Sequence, residues 1–345
     1  MTWAALLLAD PSPCLRWMVL TQLLKRPEDD PEVIELSQLK ESDRLFLELQ
    51  QQQGNDGRWQ ASDIFGSSHN QLLSTSQAML RLGFLGFDRS SQMVTKAADF
   101  IFSQQNSDGS WPLPTLAEES TKNESYSMIP LQTAIPLRGL AACGYATDPR
   151  SEKAYQWLIH QRLPDGTWPT GKAAGTFGRV AGYRRLPHSR WGCRSNTTGA
   201  LWCLALHPHR CTEEPARRAL DILLGRESKE AANLGFEVAR IIGVEPFRGF
   251  LTLFARFDPG LMLWFCARVG ASMDDPRTNN LIRFIHQEQG PFGLWEYSQH
   301  PGASRWVTFD LLRSLSELDK NRDWISLEPP TPFTPEPYGT RPPRY

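Results

Sequence analysis

One phrase returns three times in this chain at fixed internal spacing. It reads Gln52-Gln53-Gly54-Asn55-Asp56-Gly57-Arg58-Trp59, then Gln104-Gln105-Asn106-Ser107-Asp108-Gly109-Ser110-Trp111, then Gln161-Arg162-Leu163-Pro164-Asp165-Gly166-Thr167-Trp168. A looser copy runs from Gln287 through Gly290 and Gly293 to Trp295. Amphipathic stretches such as Lys96–Phe102 and Lys153–Ile159 precede the copies. One supersecondary unit is therefore stacked on itself, and each unit must bury its apolar face against the next.

The residue types suit a joint between helical hairpins. Asp-Gly supplies a turn whose glycine tolerates the left-handed backbone that ends a helix. Trp brings a large apolar surface and one N–H donor, and Gln bonds backbone groups left open at a helix end. The phrase is thus read as structural mortar. The Trp residues fall at 59, 111, 168 and 295, so the last gap is about two repeats long. The missing copy is expected near 215–225, where Ala216–Leu224 matches the helix before each phrase but no Trp follows.

Between phrases lies a second helix type, more apolar, closing at 77–83, 138–144, 199–205, 264–270 and 309–315. Five helix pairs and an N-terminal pair predict a closed ring, with apolar helices inside and amphipathic helices outside. Residues 1–31 read as an N-terminal helix, opened by Ser12-Pro13 and spanning 14–24, followed by a linker. The repeats occupy 32–320, with Glu32–Gln53 as the first outer helix. Residues 1–326 make one domain, and the tail 327–345 is too rich in Pro for helix or sheet. That tail is either disordered or an extended strap on the ring.

At 345 residues and 40% hydrophobic content, the chain can bury one large core. A net charge of −1 implies no nucleic-acid partner. No run reaches the eighteen or so apolar residues of a membrane span, so any membrane contact would be peripheral. Six Cys without paired spacing point to reduced thiols in a cytoplasm.

The Gln…Asp-Gly-x-Trp phrase, preceded in its second copy by Lys96-Ala97-Ala98-Asp99-Phe100-Ile101, resembles the QW motif of squalene–hopene and oxidosqualene cyclases. The wider resemblance is to the prenyltransferase and squalene oxidase repeat group, and it covers about 40–320. It implies an all-α fold, an α/α toroid of five to six helix hairpins. It also implies an isoprenoid or other apolar ligand in the central cavity; no cofactor and no metal is expected from the residues themselves, although protein prenyltransferases of this group hold a zinc through an Asp, a Cys and a His. Class II cyclases of this kind protonate an alkene with an Asp-x-Asp-Asp motif, which this sequence lacks. Glu28-Asp29-Asp30 and Asp274-Asp275 come nearest, and both sit beside Pro as turns and caps. Two functions remain: isoprenoid chemistry of the carbocation type, or a non-catalytic binding or scaffold protein that keeps the fold.

Candidate site residues come from aligning the inner helices. One register holds Ala78, Gly139, Ala200, Phe265 and then Asp310, so this carboxylate is expected to be buried beside Arg313 and is the candidate acid. The adjacent register offers Gln77, Arg138, Trp264 and Phe309, and another offers Trp306, as ligand contacts. The longest link from a Trp to its inner helix, 169–194, carries Lys172, Arg179, Arg184, Arg185, His188, Arg190 and Arg194. It is expected as a cationic flap over the pocket, with Arg184, Arg185 and Arg190 meeting an anionic head group. Cys203, His207, His209 and Cys211 cluster in sequence, but their spacing matches no standard zinc set.

Overall fold

Helix starts are written in this chain as Asp-Pro. In a computed structural model describing residues 2–60, 71–111, 129–171, 184–186, 189–225, 233–246, 254, 257–318 and 323–328, four such pairs open helices. Asp30, Asp148, Asp258 and Asp275 each accept the N–H two residues on, at 2.8–2.9 Å. The carboxylate satisfies a donor the helix leaves open, and Pro sits where its missing N–H costs nothing.

Among the described residues the regular elements are all helical, and β pairing is limited to isolated bridges. Three helices lead the chain: α1 Thr2–Leu8, α2 Pro13–Met18, running on as a wider turn through Val19–Leu23, and α3 Pro31–Leu39. The outer helices are α4 Arg44–Gln52, α6 Gln92–Ser103, α8 Pro149–His160, α10 Glu214–Leu224 and α13 Pro276–Gln287. Their inner partners are α5 Gln71–Phe84, α7 Ile129–Leu140, α9 Arg194–Leu206, α12 Pro259–Val269 and α14 Ser304–Glu317. A short helix, α11 Phe236–Ile241, lies between α10 and α12 in sequence.

The expected first outer helix over Glu32–Gln53 is broken in two. Asp43 leaves the helical backbone at ψ 136° and caps α4 through Leu45 N–H, while its other oxygen takes the Ser12 hydroxyl and the Cys14 N–H. An uninterrupted helix would leave these two N-terminal donors without their acceptor. The start of the chain also forms α1, a helix not anticipated from the sequence.

The inner helices pack in chain order, α5 on α7, α7 on α9, α9 on α12 and α12 on α14. Small residues permit this: a Cβ on Gly139 would stand 2.5 Å from Ser76 O, and one on Gly83 2.6 Å from Ala142 O. The ring then closes on itself. Trp306 of α14 meets Phe84 of α5 at 5.9 Å, and Arg305 and Arg313 reach back to Asp10 and Gln22 at 3.2 and 3.4 Å.

Each phrase makes the same bonds. The indoles of Trp59, Trp111, Trp168 and Trp295 donate to the carbonyls of Leu49, Ile101, Leu158 and Ile285 at 2.6–2.9 Å. Their backbone N–H groups donate to Thr75, Thr133, Thr197 and Thr308 of the following inner helix. The amides of Gln53 and Gln105 bridge their own turn to the next outer helix, at Met93 O and Arg150 O. In the third copy Arg162 holds that place and pairs with Glu214 of α10. The glycines follow suit: Gly57 adopts φ 84°, and a Cβ there would lie 2.3 Å from Lys96 O of the next outer helix.

After α10 the sequence has no phrase Trp, residues 226–232 lie outside the described residues, and a segment from the chain's far end packs at this joint. Residues 323–328 lie across the joint of α10 and α13. Ser326 Oγ and Leu327 N donate to the Asp221 carboxylate, and the Trp324 indole donates to Asp275 at 3.0 Å. Arg277 pairs with Asp221 and Asp275, and Arg218 with Glu328. Residues 323–328 thus form a strap, to which the expected tail contributes Leu327 and Glu328; 329–345 lie outside the described residues.

Candidate functional site

A ring of five inner helices leaves a hub, and α11 occupies part of it. Every residue of α11 is buried. Asp258, the cap of α12, also accepts the N–H groups of Gly235 and Glu237 at 3.0 and 2.8 Å, tying the start of α11 to the ring. Arg81 of α5 donates to Ile241 O at 2.6 Å and ties down its end. Gly235 and Gly243 bracket the helix at φ 81° and 86°, pressed against Val307 and Arg81.

Beside α11 a cavity of about 360 Å³ remains. Its mouth is built from half-buried residues at the C-terminal ends of inner helices: Phe84, Ala142, Leu206, Arg268 and Glu317, with Gln22 from the N-terminal turn. Its deep end is buried and formed by Val238 and Glu237 of α11 with Asp258, Leu261, Val307 and Asp310. Trp202 and Trp264, 5.8 Å apart, make an aromatic wall.

Two carboxyls on this wall are perturbed. Burial raises the Asp310 carboxyl, and Arg313, bonded at 2.5 Å, opposes the shift without cancelling it. Burial pushes Asp258 up to about 7; the Glu237 charge adds to this, while three N–H donors pull the other way. Glu237 itself is paired with Arg240 at 2.9 Å. The wall therefore combines large π faces with acids that hold a proton more readily than usual.

The sequence-selected residues separate into three groups. Asp310 and Trp264 stand on the cavity wall. Gln77, Arg138, Trp306 and Phe309 are buried around the hub but do not line the cavity. Arg138 donates to Gln77 Oε1 at 3.0 Å and lies over Trp202 at 4.6 Å and Phe254 at 5.4 Å, and burial lowers its pKa to about 10. Phe309 is wholly buried beneath Arg313, and Trp306 packs on Phe84. Arg184, Arg185 and Arg190 form the third group and do not line the cavity either.

The reason is which rim the flap belongs to. It joins Trp168 to the start of α9, whereas the mouth opens where inner helices end. The flap's base is laced to the third phrase rather than to the mouth. Ser189 Oγ donates to Asp165 and accepts Gly192 N–H, and Cys193 N–H donates to Trp168 O. Arg184 is buried there, while Arg185 and Arg190 are exposed. Lys172, Arg179 and His188 lie outside the described residues.

The Cys and His of 203–211 serve the fold. Cys203 Sγ donates to Ala134 O, with burial raising its pKa to about 12. His207 Nδ1 accepts the N–H groups of His209 and Arg210, which leaves Nε2 to donate to Glu152 at 2.8 Å. Among the described residues, no group of three His, Cys, Asp or Glu side chains is placed to hold a metal. Sequence reasoning missed α11, Asp258 and Glu237. The only signals were Gly235 and Gly243 framing a short apolar run and the Asp258-Pro259 cap.

The squalene–hopene cyclase C-terminal domain family matches residues 34–183. A squalene–hopene cyclase of Bradyrhizobium diazoefficiens is 28% identical over 43% of this chain, and a lanosterol synthase of Candida albicans 29% identical over 44%. The matches span about a fifth of each relative, 21% and 20%. A crystal structure of a protein from Actinoplanes covers 79% of this chain and 97% of its own at 16% identity, with a TM-score of 0.32, too loose a likeness to carry an argument. No helix among the described residues is long and apolar enough to cross a membrane. Over residues 34–183, then, this chain is similar to the C-terminal domain of squalene–hopene cyclases, and its all-helical architecture is consistent with that likeness.

Proposed function

We propose that this chain binds an isoprenoid or similar apolar small molecule in the hub cavity. One observation carries the reading: a buried space of about 360 Å³ walled by Trp202, Trp264 and Phe84 and open at one rim. Small-molecule sites are mostly apolar, hold a few placed polar groups, and span roughly 300–1,000 Å³. The relatives' names, one containing squalene, support the polyisoprenoid class. Among the described residues, the cations that line the cavity and could meet an anionic head group are Arg268 and Arg313, while Arg184, Arg185 and Arg190 do not line it.

The test is titration of the purified protein with farnesol, read by quenching of tryptophan fluorescence. Saturable quenching is expected, weakened about tenfold in Trp264→Ala through lost apolar contact. Absence of saturable quenching in the wild type would overturn the reading.

A second reading, proton-initiated isoprenoid chemistry, is favoured by the raised pKa values of Asp310 and Asp258 on an aromatic wall. In it Asp310 gives the proton to an alkene and Trp202 and Trp264 stabilise the carbocation. Arg313 holds Asp310 as an ion-pair partner and weighs against this role. Incubation with squalene, followed by mass spectrometry for cyclised isomers, separates the readings. Product formed by the wild type and lost in Asp310→Asn supports catalysis, and no product supports the non-catalytic binding protein.

A further inference from the structure

α11 borders the cavity along one buried face, and this bears on what length of ligand the cavity can take. Of the six residues of this helix, Glu237, Val238 and Ile241 line the cavity, the i, i+1 and i+4 positions of one face. On its other side Arg240 lies over Phe236 of the same helix at 5.7 Å and over Phe254, in the link to α12, at 6.0 Å. The helix is held at both ends by bonds to different ring helices, from Asp258 and Arg81. It is therefore a fixed insert in the lumen, and its two aliphatic side chains are the part of it that an apolar chain would meet.

Resting on the ligand reading above, we propose that Val238 and Ile241 are the residues that select ligand length: they form the floor against which the apolar end of an isoprenoid chain stops. Glu237 cannot serve as that floor, since its carboxylate is committed to Arg240. Leu261 and Val307 wall the deep end from the ring itself, so shortening them would widen the site rather than lengthen it past the insert. A chain one isoprene unit too long must either leave its last carbons outside the mouth or drive methyls into α11. Close-packed interiors resist the second course.

The experiment measures binding of linear isoprenoid alcohols of ten, fifteen and twenty carbons by tryptophan quenching. The proteins are the wild type, Val238→Ala, Ile241→Val, Val238→Phe and, as a control for general loosening of the core, Val94→Ala in buried outer helix α6. Each is first shown to melt cooperatively. The wild type is expected to prefer one length. Val238→Ala should shift the ratio of affinities toward the next longer alcohol by about tenfold, since each extra buried CH₂ contributes several-fold. Ile241→Val should shift it the same way by less, Val238→Phe toward the shorter alcohol, and Val94→Ala not at all. An unchanged order of lengths in the folded Val238 and Ile241 variants would overturn the role of α11 while leaving the ligand reading standing. Failure of the folded wild type to bind any of the three would overturn that reading and this proposal with it.

Discussion

The carboxylate of Asp258 accepts the backbone N–H of Glu237 at 2.8 Å, and by that bond the helix in the hub is fastened to the ring around it. The same side chain caps α12 through Gly260 N–H and takes Gly235 N–H. One carboxylate thus anchors the start of α11, as Arg81 anchors its end, and so bears on the shape of the cavity. Asp258→Ala leaves these buried donors without an acceptor, at a cost of about 1–3 kcal/mol each where water cannot replace it. Urea denaturation should show the loss, together with a change in isoprenoid binding.

The same group gives a dependence on pH. Its folded pKa of about 7 lies above the value of about 3.9 for an unfolded Asp. The folded chain therefore keeps this proton where the unfolded chain has released it. The resulting stabilisation is complete below about pH 4 and is lost as pH rises through about 7. Asp310, also raised by burial, acts in the same direction. Asp258→Asn removes only the share of Asp258, so its stability should fall less steeply between about pH 4 and 7 than the wild type's. Equal slopes in denaturation series at several pH values would contradict the assignment.

The threonine that receives each Trp N–H should matter as much as the Trp indole bond. Thr133→Val keeps the shape of the side chain and leaves Trp111 N–H buried and unpaired. A loss of about 1–3 kcal/mol is expected, and a similar loss for Thr197→Val and Thr308→Val. Thermal melts of the three variants check this; a neutral result at all three would show that the joints do not depend on these bonds.

The strap at 323–328 should stabilise the joint that lacks a phrase. Asp221→Ala removes the acceptor of Arg277, Ser326 and Leu327 together. Arg277 keeps Asp275, so the expected cost is about 3 kcal/mol, at the lower end for a broken buried ion pair. Faster proteolysis near the C-terminus should accompany the lower melting temperature.

Much of the architecture was legible because it is periodic. Trp59, Trp111, Trp168 and Trp295 mark outer-to-inner joints, and the small residues Gly139 and Gly83 mark close inner contacts. The Asp310–Arg313 pair followed from one register and one helical turn. Arg138 and Gln77 were placed near the hub, but periodicity could not show that Trp202 and Phe254 would cover Arg138. Nor could it show α11, because six residues are too few to display a period and its position is set by the distant Asp258 and Arg81. The flap was linked to the pocket because long loops concentrate at one rim, yet which rim the cavity opens on depends on where α11 lies.

Denaturing mass spectrometry of small molecules carried by the purified chain tests the central claim most directly. The account predicts an isoprenoid released near one per chain from the wild type, and little from Leu206→Trp, which narrows the mouth of the cavity. Equal amounts released from the two folded proteins, or an empty wild type that also takes up no added isoprenoid, would contradict it.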